Sequence, residues 1–158
     1  MINSFPHNDV RKRADDVAKY TQCPGTFPIT VIDDTYTPAV IVPDVNITQH
    51  IIWDSTVEIS PKTVLNLTVT HLDGTLIFSH QEIYCTSSQK PLNIECPIPA
   101  GHLDFKSLYL YASTPDQPKG VTVEFLGKQT LIGTDGTILM CTEGKGSIAF
   151  PYVLKSAQ

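Results

Sequence analysis

Cys85 and Cys96 are separated by ten residues, with Pro91 between them and Pro97-Ile98-Pro99-Ala100-Gly101 behind. No other feature limits the possible folds of this chain as strongly. A disulfide needs its two Cα atoms within roughly 4.4–6.8 Å. Ten residues can turn back to that distance and one continuous strand cannot, so residues 84–101 read as a stapled excursion between two strands. Closing such a loop contributes about 3 kcal/mol in the chain-entropy account. The other cysteines, Cys23 and Cys141, fall near the two ends of the strand-rich region. Four cysteines allow three connectivities; the preferred one is Cys85–Cys96 with Cys23–Cys141.

Strands are expected on both sides of the staple. Residues 29–32 are short and β-branched and end at Asp33-Asp34, and residues 39–42 are broken by Pro43. Val45, Ile47, Gln49, Ile51 and Trp53 alternate with Asn46, Thr48, His50 and Ile52, the period of a half-buried strand. Leu65, Leu67 and Val69 share one face of the next run. Asp73-Gly74 and Asp135-Gly136 each sit between alternating runs, which predicts two hairpins with both central residues at positive φ. Residues 103–111 read as a strand, 114–120 as a loop, and 121–125 as a strand with Gly127 a candidate bulge. Gly144-Lys145-Gly146 reads as a break in the last strand. Seven to nine strands, with turn signals every 8–12 residues, predict an all-β sandwich.

Composition supports one domain. A length of 158 residues with 41% hydrophobic content is enough for a sizeable core. Twelve prolines and nine glycines favour short strands over helices. A net charge of −5 argues against a nucleic-acid partner, which demands a basic face. Residues 1–22 read as a tail or propeptide remnant, with Arg11-Lys12-Arg13 a candidate dibasic cleavage site and a short helix conceivable at 8–20. The domain proper is then 23–158. The sequons Asn46-Ile47-Thr48 and Asn66-Leu67-Thr68 lean towards the secretory route and make Asn46 and Asn66 candidate glycan acceptors. No leader is legible at the start, so secretion would require that one has been removed. No run of 18 apolar residues is present, so no membrane-spanning helix is expected.

Catalytic and metal signatures are missing. The chain has no Cys-x-x-Cys, His-x-x-x-His, Gly-x-Ser-x-Gly or phosphate-loop spacing, and its histidines are spread singly. The expected site has no catalytic residue, metal or cofactor. The apolar inventory is richer: Ile47, Ile51, Trp53, Leu65, Leu67, Val69, Leu76, Phe78, Leu108, Leu110, Val121, Val123, Phe125, Leu139 and Met140 are the candidates for the interior. A packed interior and one splayed around a ligand share the same periodicity.

Several of these elements together resemble the ML lipid-recognition family. They are Cys85…Cys96-Pro97-Ile98 with Gly101, the Pro115/Pro118 loop, Val121-Thr122-Val123-Glu124-Phe125, the Asp135-Gly136 turn and Leu139-Met140-Cys141. That family includes mite group-2 allergens, the Niemann-Pick type C sterol carrier and fungal phosphatidylglycerol/phosphatidylinositol transfer proteins. Cys23 matches the family's first cysteine, whose partner lies near the C-terminus, in agreement with Cys23–Cys141. The chain lacks the third disulfide of some members, and its Cys85–Cys96 loop is longer than in several.

The resemblance implies an immunoglobulin-like, two-sheet antiparallel β-sandwich with a lipid (phospholipid, sterol or fatty acyl chain) held between the sheets for transfer or presentation. It also implies transient contact with a membrane surface and a secreted or endolysosomal/vacuolar location. The residues expected to line the cavity are Ile51, Trp53, Leu67, Val69, Phe78, Leu110, Val123 and Phe125. The rival expectation is an immunoglobulin-like interaction module with a solid core, binding a protein through residues 86–94 or 114–120.

Overall fold

Residues 17–152, described by a computed structural model, resolve the alternating pattern into ten strands. These are β1 (Ala18–Lys19), β2 (Thr21–Gln22), β3 (Ile29–Thr37), β4 (Val40–Ile41), β5 (Ile47–Ser55), β6 (Val64–His71), β7 (Leu76–Ile83), β8 (Gly101–Tyr109), β9 (Val121–Ile132) and β10 (Ile138–Phe150). A 3-10 turn at Tyr84–Thr86 is the one helical element among the described residues. The first sheet runs β1-β3-β5-β8; the second runs β2-β10-β9-β6-β7, with β4 joining β10 in parallel. All other pairings are antiparallel, as two face-to-face sheets with short connections require. The result is a two-sheet sandwich of immunoglobulin type.

Both expected disulfides are present. Cys23 is bonded to Cys141 and Cys85 to Cys96, with Cα separations of 5.4 and 6.1 Å. The second staples the connection from β7 in one sheet to β8 in the other. Ile59 and Ile98 exchange backbone hydrogen bonds of 2.8 and 3.0 Å just behind it.

Several local expectations are corrected. Both hairpins form, but only their glycines take positive φ, +94° at Gly74 and +87° at Gly136. Gly74 N donates to His71 O, and His71 N to Thr75 O, with the same pattern at Gly133, Gly136 and Thr137. That is a type I turn closed by a left-handed glycine, so Asp73 and Asp135 serve as side-chain acceptors for Thr75 N and Thr137 N. Strand β3 does not stop at Asp33-Asp34. A register shift between Val31 and Asp33 turns Ile32 out and Asp34 in, and the strand continues to Thr37. Gly127 is no bulge and Gly144-Lys145-Gly146 no break, because β9 and β10 pair continuously past all three glycines.

Sheet pairing already begins at Ala18, where β1 joins β3, so residues 18–20 are not helical. The candidate cleavage site after Arg13, and the rest of the candidate helix, lie outside the described residues. Leu76, Leu108, Leu110 and Val121 are exposed rather than interior. On β8 the inward side chains are Phe105 and Ser107, and the Phe105 ring meets Trp53 edge-on at 4.9 Å.

The interior has two apolar parts. At the disulfide end Ile29, Ile51, Trp53, Leu65, Phe105 and Leu131 pack with Tyr84, Ile98 and Met140. At the other end Tyr20, Val69, Phe125, Ile148 and Phe150 form a smaller cluster, flanked by half-buried Tyr36, Leu67, Phe78, Tyr111 and Val123. Asp34, Gln49, Ser107, Gln129 and Thr142, all buried, contribute polar groups to the interior.

Candidate binding cavity

Small residues hollow the inner face of the second sheet at the end away from the staple. A β-carbon at Gly144 would stand 2.7 Å from Tyr20 Cδ1, and one at Gly146 2.5 Å from Phe125 Cζ. Gly127, opposite Gly144, lies under the Tyr20 hydroxyl in the same way. The two rings thus rest against bare backbone, and a narrow cavity of about 40 Å³ remains between the sheets. Its walls include Tyr20, Tyr36, Leu67, Val69, Phe125 and Ile148.

Beside it, between β7 and the end of β8, opens a cleft of about 620 Å³. Leu67, Phe78, Gln89, Tyr109 and Tyr111 belong to the walls of both spaces. Phe78 and Tyr111 stack with centroids 4.8 Å apart and planes at 16°, and Tyr111 meets Phe150 edge-on at 6.3 Å. His71, His80, Glu82 and Asp116 supply the polar part of the cleft. The loop above it is tied down by Asp44, which accepts from Ser113 N at 3.0 Å and Ser113 Oγ at 2.6 Å.

Buried polar side chains are hydrogen-bonded in series. Ser107 Oγ donates to Gln49 Oε1 at 3.2 Å, and Gln49 Nε2 donates to Asp34 Oδ1 at 2.9 Å. Tyr36 donates to Gln129 Oε1 at 2.9 Å, and Gln129 Nε2 donates to Gln89 Oε1 at 3.0 Å. Asp34 Oδ2 has no hydrogen-bond partner. Burial pushes the Asp34 carboxyl up to about 6, against the lowering effect of the Gln49 amide. Burial likewise pushes the hydroxyls of Tyr20, Tyr36 and Tyr109 well above the usual tyrosine range.

Of the residues expected to line a cavity, Leu67, Val69, Phe78 and Phe125 line the narrow space. Leu67, Phe78, Leu110 and Val123 line the cleft. Ile51 and Trp53 do not join them; they are fully packed in the cluster at the disulfide end. Tyr20, Tyr36, Gln89 and Gln129 are cavity residues that the apolar pattern missed. Gln129 carried a signal, since it shares the inward parity of Phe125 and Leu131. Among the described residues no three His, Cys, Asp or Glu side chains gather as a metal site. His50–Asp104, His102–Asp54 and His80–Glu82 are isolated pairs at 2.6, 2.7 and 2.9 Å. Asn46 is exposed ahead of β5, whereas Asn66 is half-buried between Gln81 and Thr130 in mid-sheet.

A two-sheet sandwich with a side opening between unpaired edge strands is the architecture these features define. A Niemann-Pick type C2 protein from the Japanese carpenter ant has a similar fold, with a TM-score of 0.57 at 12% identity over 82% of this chain and 98% of that one. Chicken MD-1 complexed with lipid IVa aligns with a TM-score of 0.46 at 15% identity over 85% of this chain and 98% of that one. No family model matches the sequence, nor does any curated protein.

Proposed function

We propose that this protein binds a lipid between its two sheets, entering through the cleft between β7 and β8, and carries or presents it. The observation behind this reading is an aromatic-walled cavity that shares the Phe78–Tyr111 stack with an open cleft. The cleft alone has the volume of ordinary ligand sites, roughly 300–1,000 Å³. The narrow space of about 40 Å³ has room for a few waters but not for a chain. Loading therefore parts Phe78 from Tyr111 and merges the two spaces. Apolar ligand surface then leaves water at about 25 cal/mol per Å², less the cost of ordering the complex. No covalent chemistry is involved.

The ML resemblance and the sandwich fold support the same reading, with a secreted or endolysosomal/vacuolar setting and transient membrane contact during exchange. Native mass spectrometry tests it, before and after incubation with mixed phospholipids, sterol and fatty acid. A stoichiometric mass shift, lost on denaturation and reduced in Leu67→Trp and Val123→Trp, is the expected result. No shift with any lipid, from protein with both disulfides formed, would favour a solid interaction module and turn attention to residues 86–94 and 114–120.

A further inference from the structure

Gln89 stands where the narrow cavity meets the cleft and belongs to the wall of each. It is only 4% exposed although it lies in the stapled loop. Its backbone is fixed there: Gln89 N donates to Ser87 Oγ at 3.2 Å, and Ser87 Oγ donates to Tyr84 O at 2.7 Å.

The direction of the hydrogen bonds decides what Gln89 offers. Tyr36 donates to Gln129 Oε1, which turns Gln129 Nε2 towards Gln89, and Gln89 Oε1 accepts from it. With its oxygen engaged, Gln89 presents Nε2, whose N–H groups have no hydrogen-bond partner among the described residues. Tyr109 lines the same two spaces. Its hydroxyl, a donor at neutral pH, likewise has no partner among those residues. Gln89 from the loop and Tyr109 from β8 thus bring donor groups to the walls of a junction that they share with Leu67, Phe78 and Tyr111.

Charge narrows the choice of ligand. No lysine or arginine lines the cavity or the cleft, whereas Glu82 and Asp116 do. The two histidines there are His71 and His80, and His80 is already paired with Glu82 at 2.9 Å. An anion at the junction would find no lysine or arginine in the walls of either space. A neutral acceptor oxygen needs no such cation.

We infer that the site takes a neutral amphiphile, whose hydroxyl or ester carbonyl oxygen accepts from Gln89 Nε2 and the Tyr109 hydroxyl while its hydrocarbon fills the cavity. This rests on the lipid-binding reading above and adds to it a ligand class and the residues that select it.

The test compares 1-hexadecanol, methyl palmitate, palmitate and hexadecane at neutral pH, by native mass spectrometry and competition. Wild-type protein is expected to bind the alcohol or the ester about tenfold more tightly than hexadecane, the worth of one or two buried hydrogen bonds, and palmitate less well than either. A gain for the alcohol alone or the ester alone supports the inference and says which oxygen is read. Gln89→Met should erase most of the gain of the alcohol or ester over hexadecane. Tyr109→Phe, which spares the loop, should erase part of it and covers the case in which Gln89→Met does not fold. Palmitate binding as tightly as hexadecanol, or variants that keep the wild-type ratio of hexadecanol to hexadecane, would overturn the inference while leaving lipid binding in place. Failure of all four probes to bind would overturn both.

Discussion

Gly146 on β10 pairs directly with Phe125 on β9, and a β-carbon at Gly146 would fall 2.5 Å from Phe125 Cζ. The ring owes its place to a missing methyl group. Gly146→Ala should drive Phe125 into the cavity or off its rotamer, at about 1–3 kcal/mol. Urea unfolding would measure the loss, and near-UV circular dichroism would register the displaced aromatic cluster. A variant as stable as wild type would mean that the sheet yields instead.

Asp34 sets a pH dependence with a definite sign. Its folded value of about 6 lies above the ordinary 3.8, so the native state holds the proton more tightly than the unfolded chain. Stability from this group is therefore greatest below about pH 4 and falls as pH rises through 6, a difference of about 3 kcal/mol. Asp34→Asn keeps an oxygen for Gln49 Nε2 and removes the charge. It should stabilise the fold most above pH 6 and little at pH 4, as read by urea midpoints across that window. A gain of equal size at both ends would assign the effect to something other than ionisation.

The two disulfides close loops of very different length, with sequence separations of 118 and 11. Replacing Cys23 and Cys141 with serine should cost about 5 kcal/mol, and replacing Cys85 and Cys96 about 3 kcal/mol. Thermal unfolding of the two double variants checks the order. The reverse order would show that the stapled loop does more than shorten the unfolded chain.

The sequons should behave differently in a secretory host. Asn46 is exposed next to a turn, while Asn66 is half-buried with strands paired on both sides. Asn46→Gln is expected to lower the intact mass by one glycan, and Asn66→Gln to leave glycan mass unchanged. A glycan found on Asn66 would require that sheet to form after modification.

The strands, hairpins and cysteine pairing were legible because each depends on local signals: period-two alternation, Asp-Gly turns, and a short Pro-rich loop between cysteines. The cavity was less legible, for two physical reasons. Inward parity on β8 belongs to Phe105 and Ser107, not to Leu108, because Ser107 is bonded to Gln49 across the strand pair. A polar residue satisfied by a distant partner looks, in one dimension, like an outward residue. The glycines misled in the opposite way. Gly127, Gly144 and Gly146 suggested irregular backbone, but what they supply is room for the rings of Tyr20 and Phe125 in regular strands. Ile51 and Trp53 had the same pattern as the cavity residues and differ only in their position along the sandwich.

The chain changes sheets four times on one side of the molecule, twice out and twice back. It passes from β1 in the first sheet to β2 in the second at Tyr20, and from β3 to β4 between Thr37 and Val40. Those crossings bind the sheets together like the spine of a book. The facing edge, where β7 and β8 stand opposite each other without pairing, is spanned at its lower corner by the Cys85–Cys96 loop and at its upper corner by residues 110–120, which lead from β8 to β9. Its upper corner is held by the Phe78–Tyr111 contact. Because β7 and β8 share no backbone pairing, parting Phe78 from Tyr111 breaks no rung of either ladder.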